Sequence, residues 1–193
     1  MTSAGQAPEV FAQRPKRADA RRNYDALIAA AREAFAENGA AASLEDVARR
    51  AGVGIGTLYR NFPTRRHLFE AVYVEEVREL RHSAEGLAEL PPWDALVAWL
   101  HRFVAYVATK RALAEQLLRD SEIFTSCRTE IFSAGEPLLR RAQSADVVRD
   151  DIGFDDVVRL ISGLTMAQFP SPEQRDRVLG VALDGLRPPA TPR

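Results

Sequence analysis

The sequence predicts an all-α protein, on three observations. Apolar residues recur at three- and four-residue steps from residue 20 to residue 187. Strand-like alternation is almost absent, and Ser, Thr and Gly punctuate the pattern at helical lengths. The 193 residues are 46% apolar and 27% charged, a composition that excludes a disordered or collagen-like chain. With 26 Lys+Arg against 27 Asp+Glu, a uniformly basic nucleic-acid coat protein is excluded as well. One cysteine, Cys127, leaves no intrachain disulfide. The N-terminus carries no apolar run of the secretory type. The most apolar stretch, 93–108, is interrupted by His101 and Arg102 and is shorter than a membrane span. The expectation is a soluble, cytoplasmic protein with no membrane association.

Residues 1–18 read as a flexible basic arm. Helix one is expected over 19–38, with Tyr24, Leu27, Ile28, Ala31 and Phe35 on one face and Gly39 at its C-terminal cap. Ser43 precedes Leu44, Glu45 and Asp46, a serine cap with acids in the first turn, where they suit the positive helix terminus. This short helix ends around Ala51, before Gly52. The next runs from Gly54 or Ile55 to Asn61. Thr64 caps a fourth, whose inward residues are Leu68, Phe69, Val72, Tyr73, Val77 and Leu80. Past Glu89–Pro92, the residues Trp93, Leu96, Val97, Leu100, Phe103, Val104 and Val107 mark an amphipathic helix. Further helices are predicted near 112–124, 128–145, 154–168 and 172–186, with Gly135–Pro137 breaking the second of these or delaying its start. A proline-rich tail, 188–193, closes the chain.

Residues 43–62 carry the main signal. Two short helices joined by a glycine turn form a helix-turn-helix, with Ala48 small where the helices cross and Gly52 free to take a positive φ. Val47, Val53, Leu58 and Phe62 can make a small core. Helical spacing then turns Gly56, Thr57 and Arg60 outward, with Tyr59 and Asn61 on the flanks. That small, polar face suits a helix lying in the major groove of double-stranded DNA. Arg65 and Arg66 stand in the first turn of the fourth helix, where cations oppose the helix macrodipole. Exposed arginines tolerate that cheaply, but beside a helix-turn-helix they read with Thr64 as a phosphate clamp.

Residues 20–81 resemble the DNA-binding domain of TetR-type transcriptional regulators. The resemblance runs through 30–39, Ser43, Val47-Ala48, Ala51-Gly52-Val53, Gly56-Thr57-Leu58-Tyr59, Phe62-Pro63-Thr64 and Leu68. It departs at Gly54, where Ser is frequent in that family, and at Asn61, where His is frequent. The resemblance implies that Thr57, Tyr59 and Arg65 contact phosphate and that Ser43 touches the backbone. It also implies that Ile55, Gly56, Arg60 and Asn61 face base edges. The domains are then a DNA-binding domain at 19–81 and a helical effector-binding and dimerisation domain at 82–187. Residues 138–143, 147–151, 156–157 and 183–187 are similar to an actinobacterial-type subgroup.

Self-association is also suggested by the residues themselves. Val178, Leu179, Val181, Ala182, Leu183 and Leu186 spread over a wider arc than a surface helix needs, as do Phe154, Val157, Val158, Leu160, Ile161 and Leu164. A two-fold homodimer would use Val157, Ile161, Leu164, Val178, Val181, Ala182 and Leu186. A small-molecule effector pocket would draw on Trp99, Phe103, Tyr106, Leu117, Phe124, Phe132 and Met166, although each taken singly reads first as ordinary core. Cys127 reads as a small buried hydrophobe. His67, His82 and His101 lack metal spacing, and Asp150-Asp151 and Asp155-Asp156 read as loop and helix-cap acids, so no metal, cofactor or catalytic residue is expected.

The leading reading is a ligand-responsive repressor acting as a homodimer on a near-palindromic operator. The alternatives are an activator of the same family, an enzyme on a helical scaffold, and a small-molecule-binding protein or adaptor that keeps the helix-turn-helix only as a fold element. The near-neutral total hides an asymmetry. Residues 1–66 hold 11 basic and 7 acidic side chains, and residues 67–193 hold 15 and 20. A basic head on an acidic body would orient the protein on DNA.

Overall fold

The computed structural model describes residues 14–113 and 122–189. Every regular element among them is helical: α1 (Ala18–Asn38), a 3-10 turn (Gly39–Ala41), α2 (Leu44–Arg50), α3 (Ile55–Asn61), α4 (Arg65–Glu85), α5 (Pro92–Leu113), α6 (Glu122–Ser144), α7 (Phe154–Met166) and α8 (Pro172–Asp184). These residues fall into two compact units. One takes those up to Glu76 and those between Thr109 and Arg128; the other takes Val77–Ala108 and those from Thr129 onward.

In the first unit the expected α1 face, Tyr24, Leu27, Ile28, Ala31 and Phe35, is buried throughout. Phe35 stacks on Phe69 with centroids 4.3 Å apart, and Tyr24 tilts against Phe62 at 5.2 Å. Val47, Leu58, Phe62 and Leu68 close the cluster. The seven-residue helices α2 and α3 are far shorter than an isolated helix needs to persist in water. Burial of these side chains, at about 1.5–3 kcal/mol each, is what keeps them helical. Gly39 and Gly52 turn the corners with φ of 53° and 68°.

In the second unit α5 buries Ala95, Leu96, Trp99, Leu100, Phe103, Tyr106 and Val107. The buried stripe is therefore rotated from the expected one: Trp93, Val97 and Val104 are half-buried at its margin, and Trp99 and Tyr106 take the centre. The Trp99 indole donates to the Leu80 carbonyl at 3.3 Å. The break expected at Gly135–Pro137 does not occur, because α6 runs through it. A Cβ at Gly135 would sit 2.6 Å from ring atoms of both Phe154 and Trp99, so the glycine is what lets the aromatic rings reach the helix. Pro137 removes one helical hydrogen bond. Burial of Leu138, Leu139 and Ala142 just beyond it holds the helix in register.

The helix expected over 112–124 falls mostly outside the described residues. Residues 122–124 belong to α6, which also spans the expected gap before 128 because Ile123, Cys127 and Ile131 are buried at four-residue steps. Helices α7 and α8 pack on each other. At the end of α8 the Leu186 carbonyl accepts the Arg149 N–H at 2.9 Å, and the Arg187 guanidinium lies 4.0 Å over the Trp93 ring. Among the described residues no helix is long and apolar enough to cross a membrane.

Candidate nucleic-acid interface

The turn between α2 and α3 is closed by its own backbone. Gly52 N–H donates to the Arg49 carbonyl at 3.1 Å and Val53 N–H to the Ala48 carbonyl at 3.0 Å. Ser43 caps α2, its hydroxyl oxygen accepting the Asp46 N–H at 3.3 Å while its proton goes to Glu45 Oε2 at 2.8 Å. That second bond holds the Glu45 carboxyl below its ordinary range. Arg50 ties α2 to α1, bonding Glu37 through two nitrogens at 2.9 and 2.6 Å and Asp46 at 2.7 Å. The Arg50 guanidinium holds the Glu37 carboxyl below its ordinary value; Arg49 first, then Arg50, do the same to Asp46.

Helix α3 has one sealed side and one open side. Leu58 and Phe62 are fully buried, while Gly56 and Arg60, one turn apart on another line, are exposed. Ile55 is 38% and Tyr59 46% exposed, large values for such side chains; Thr57 and Asn61 are half-buried. Arg60 folds back along its own helix, Nε donating to the Gly56 carbonyl at 3.2 Å and Nη2 to Thr57 Oγ1 at 3.1 Å. Asn61 Nδ2 donates to the Thr57 carbonyl at 2.8 Å.

Thr64 caps α4 as expected, accepting the His67 N–H at 3.3 Å. The two arginines after it differ. Arg65 Nη2 donates to the Ala42 carbonyl at 2.5 Å and the guanidinium lies 5.3 Å over the Phe69 ring, so it also latches α4 to the segment before α2. Arg66 pairs with Glu70 at 2.7 Å, and Glu70 is only 8% exposed. Sequence reasoning missed that acid, although its four-residue spacing from Arg66 was visible. Before α1, Arg14 bonds Asp25 at 2.9 and 2.6 Å, and in its first turns Arg22 pairs with Asp19, so part of the basic charge at this end is already paired.

The pocket candidates separate. Trp99, Phe103 and Tyr106 form a continuous row, with centroids 5.6 and 5.7 Å apart. Phe132 meets Phe154 edge-on at 5.1 Å, and Phe154 in turn meets Trp99 at 5.7 Å. Phe154, which was not among the candidates, joins these rings, and its spacing from Val157 and Ile161 marked it as inward. Phe124 instead packs on Tyr73 at 5.0 Å, within the first unit. Met166 stands apart from these rings, at the end of α7 and 58% exposed. Leu117 lies outside the described residues.

The dimer candidates divide as well. Val157, Ile161 and Leu186 are buried within their own chain and are not available to a partner. Their side of each helix is the one that closes on the body. Val178 and Val181 are exposed, Leu164 and Ala182 half-buried, and Leu160 joins them as an exposed apolar residue. No group of three or more His, Cys, Asp or Glu is placed to hold a metal among the described residues, and Cys127 is buried.

Residues 27–72 match the bacterial regulatory proteins of the tetR family, and residues 91–188 match the C-terminal domain of SbtR-like transcriptional regulators. A TetR transcriptional regulator from Streptomyces coelicolor is 42% identical, with 86% of this chain and 99% of that one covered and a TM-score of 0.75. A TetR transcription regulatory protein from Mycobacterium vanbaalenii is 31% identical, with 90% and 99% covered and a TM-score of 0.71. The ketosteroid regulator KstR2 of Mycobacterium tuberculosis, 18% identical with 92% and 100% covered at a TM-score of 0.58, shares the fold. With an open-faced α3 on a sealed core and matches along nearly the whole length of two relatives, the chain belongs to the TetR family of DNA-binding transcriptional regulators.

Proposed function

We propose that the protein is a ligand-responsive repressor that binds a near-palindromic operator as a homodimer. Regulators of this family work by binding DNA rather than by enzymatic turnover. The observation that carries the reading is α3, sealed by Leu58 and Phe62 on one side and open at Ile55, Gly56, Tyr59 and Arg60 on the other. Thr57, Tyr59 and Arg65, with Ser43 at the start of α2, are assigned to phosphate and backbone; Ile55, Gly56, Arg60 and Asn61 to base edges. Residues 19–81 then read DNA, and residues 82–187 bind the effector and the second copy.

Dimerisation is supported by apolar side chains that the chain leaves uncovered on α7 and α8: Leu160, Val178 and Val181, with Leu164 and Ala182 beside them. The aromatic row Trp99–Phe103–Tyr106 and the Phe132–Phe154 pair suit an apolar effector. An effector favouring a conformation with wrongly spaced α3 helices would release DNA by population shift.

The test is binding to the DNA upstream of the protein's own coding sequence, with transcription from that DNA measured in a purified system. Repression, and an affinity that falls steeply as salt rises, are expected. Binding no tighter than to random DNA rejects that operator assignment, and stimulation of transcription rejects the repressor reading. Val181→Glu should raise the dimer dissociation constant roughly 100-fold or more in sedimentation, since it would bury an unpaired charge at a two-fold contact. An unchanged constant removes α8 from the interface.

A further inference from the structure

Glycine is a poor helix former, so a glycine inside a helix calls for a reason. Gly52 has one in its φ of 68°, and Gly135 has one in the rings of Phe154 and Trp99 that occupy the space a Cβ would take. Gly56 has neither. Its φ is not positive, and a Cβ there would meet nothing within 4 Å among the described residues. It also lies on the exposed side of α3. No described residue supplies its reason, which points to a partner that approaches the α3 backbone more closely than a methyl group allows. Gly163 and Gly180 are helical glycines with the same freedom, and both sit on the helices assigned to the second copy.

Arg60 shares the Gly56 line of α3, one turn on. Its bonds to the Gly56 carbonyl at 3.2 Å and Thr57 Oγ1 at 3.1 Å use two of the five guanidinium N–H donors. They brace a side chain that would otherwise be free to rotate, and they leave three donors. Guanine presents O6 and N7 side by side in the major groove, and a guanidinium satisfies both at once. Adenine offers an acceptor beside a donor, which a guanidinium cannot satisfy in the same way.

We infer that Gly56 and Arg60 form one reading device: the bare backbone at Gly56 lets α3 seat deep against the base edges, and Arg60, braced along it, reads a guanine in each half-site. The inference rests on the DNA-reading role proposed above. It adds a base identity to that role and gives Gly56 a purpose that the fold alone does not.

The experiment is selection of bound duplexes from a random pool by the full-length protein, the Arg60→Ala and Arg60→Lys variants, and Gly56→Ala. The wild type should enrich a guanine at one fixed position of each half-site. Arg60→Ala should lose that preference alone, with affinity for the wild-type sequence falling roughly 10- to 100-fold, and Arg60→Lys should keep part of it. Gly56→Ala should match or exceed the wild type in helix content and melting temperature. It should nonetheless bind the selected DNA at least roughly 10-fold more weakly. Unchanged base preferences in Arg60→Ala, a lost base other than guanine, or full DNA affinity in Gly56→Ala overturns the inference. So does a drop in the melting temperature of Gly56→Ala, because the glycine would then have an internal reason. A wild-type pool with no enriched sequence overturns the DNA-reading role itself; an enriched sequence indifferent to both positions overturns only the device.

Discussion

The unit that carries α1–α3 and the unit that carries α7–α8 both bury apolar and aromatic side chains, but they fix the placement of their helices by different means. In the first, two seven-residue helices are fixed by short polar ties around a small apolar cluster: the Ser43 cap, the Arg50 bonds to Glu37 and Asp46, and Arg65 on the Ala42 carbonyl. In the second, large rings lie against each other and against a bare stretch of α6 at Gly135. Polar ties fix angles and register at little net gain in stability, which suits a surface that must present α3 in one orientation. Aromatic burial gives stability with less directional control, which suits the ligand-admitting, shifting region proposed above.

The largest effect should come from breaking the aromatic unit. Trp99 is fully buried, touches Phe103 and Phe154, and donates to the Leu80 carbonyl. Trp99→Ala should cost about 3–5 kcal/mol by chemical denaturation, since it leaves a cavity among rings too rigid to close it. A loss below about 1 kcal/mol would mean that the aromatic row does not hold this unit. No single polar tie in the first unit should come near that figure.

How much was legible in the sequence follows the same division. Ser43, Gly52, Thr64 and the Leu58–Phe62 pair act through neighbours within a few residues, so their spacing alone placed α2, the turn, α3 and the start of α4. The continuity of α6 rests on the burial of Leu138, Leu139 and Ala142, and Gly135 is there for Phe154 and Trp99, which reach it from distant positions in the chain, so local breaker rules misread the stretch. The breadth of the apolar arcs on α7 and α8 was read correctly, but an arc does not say which of its sides closes on the body. Val157, Ile161 and Leu186 were therefore assigned to a partner when they belong to the core. Arg66 illustrates the same limit at the candidate interface, because its placement at a helix N-terminus drew attention away from Glu70.

A middle-sized effect separates the two duties of Ser43. Ser43→Ala should cost about 0.5–2 kcal/mol, because the Asp46 N–H loses its cap. Ser43→Asp should restore part of the stability, since aspartate caps as well as serine and suits the positive end of the helix but cannot donate to Glu45 as the serine hydroxyl does. If Ser43 also touches the DNA backbone, the Asp variant should bind operator DNA more weakly than Ser43→Ala despite its better stability, because a carboxylate repels phosphate. Equal DNA affinity in the two variants would confine Ser43 to capping.

The smallest effect should appear in acid and at the Arg50 junction. Glu37 and Asp46 titrate below their ordinary values in the folded protein, Glu37 through Arg50 and Asp46 through Arg49 and Arg50. A depressed folded value means stability that is present above the unfolded carboxylate range, near pH 4, and is lost as pH falls through the lower folded value. In Arg50→Ala the carboxyls move back toward the ordinary range, so less remains to be lost. Melting temperature should therefore fall more steeply in the wild type than in the variant between about pH 5 and pH 2, with the wild type the more stable at pH 7. All three side chains are in contact with solvent, so about 1 M salt should narrow the difference. Parallel acid limbs in the two proteins would show that the junction contributes geometry without measurable stability. In that case Arg50 would still orient α2 on α1, and the contrast between the ways the two units place their helices would be sharper.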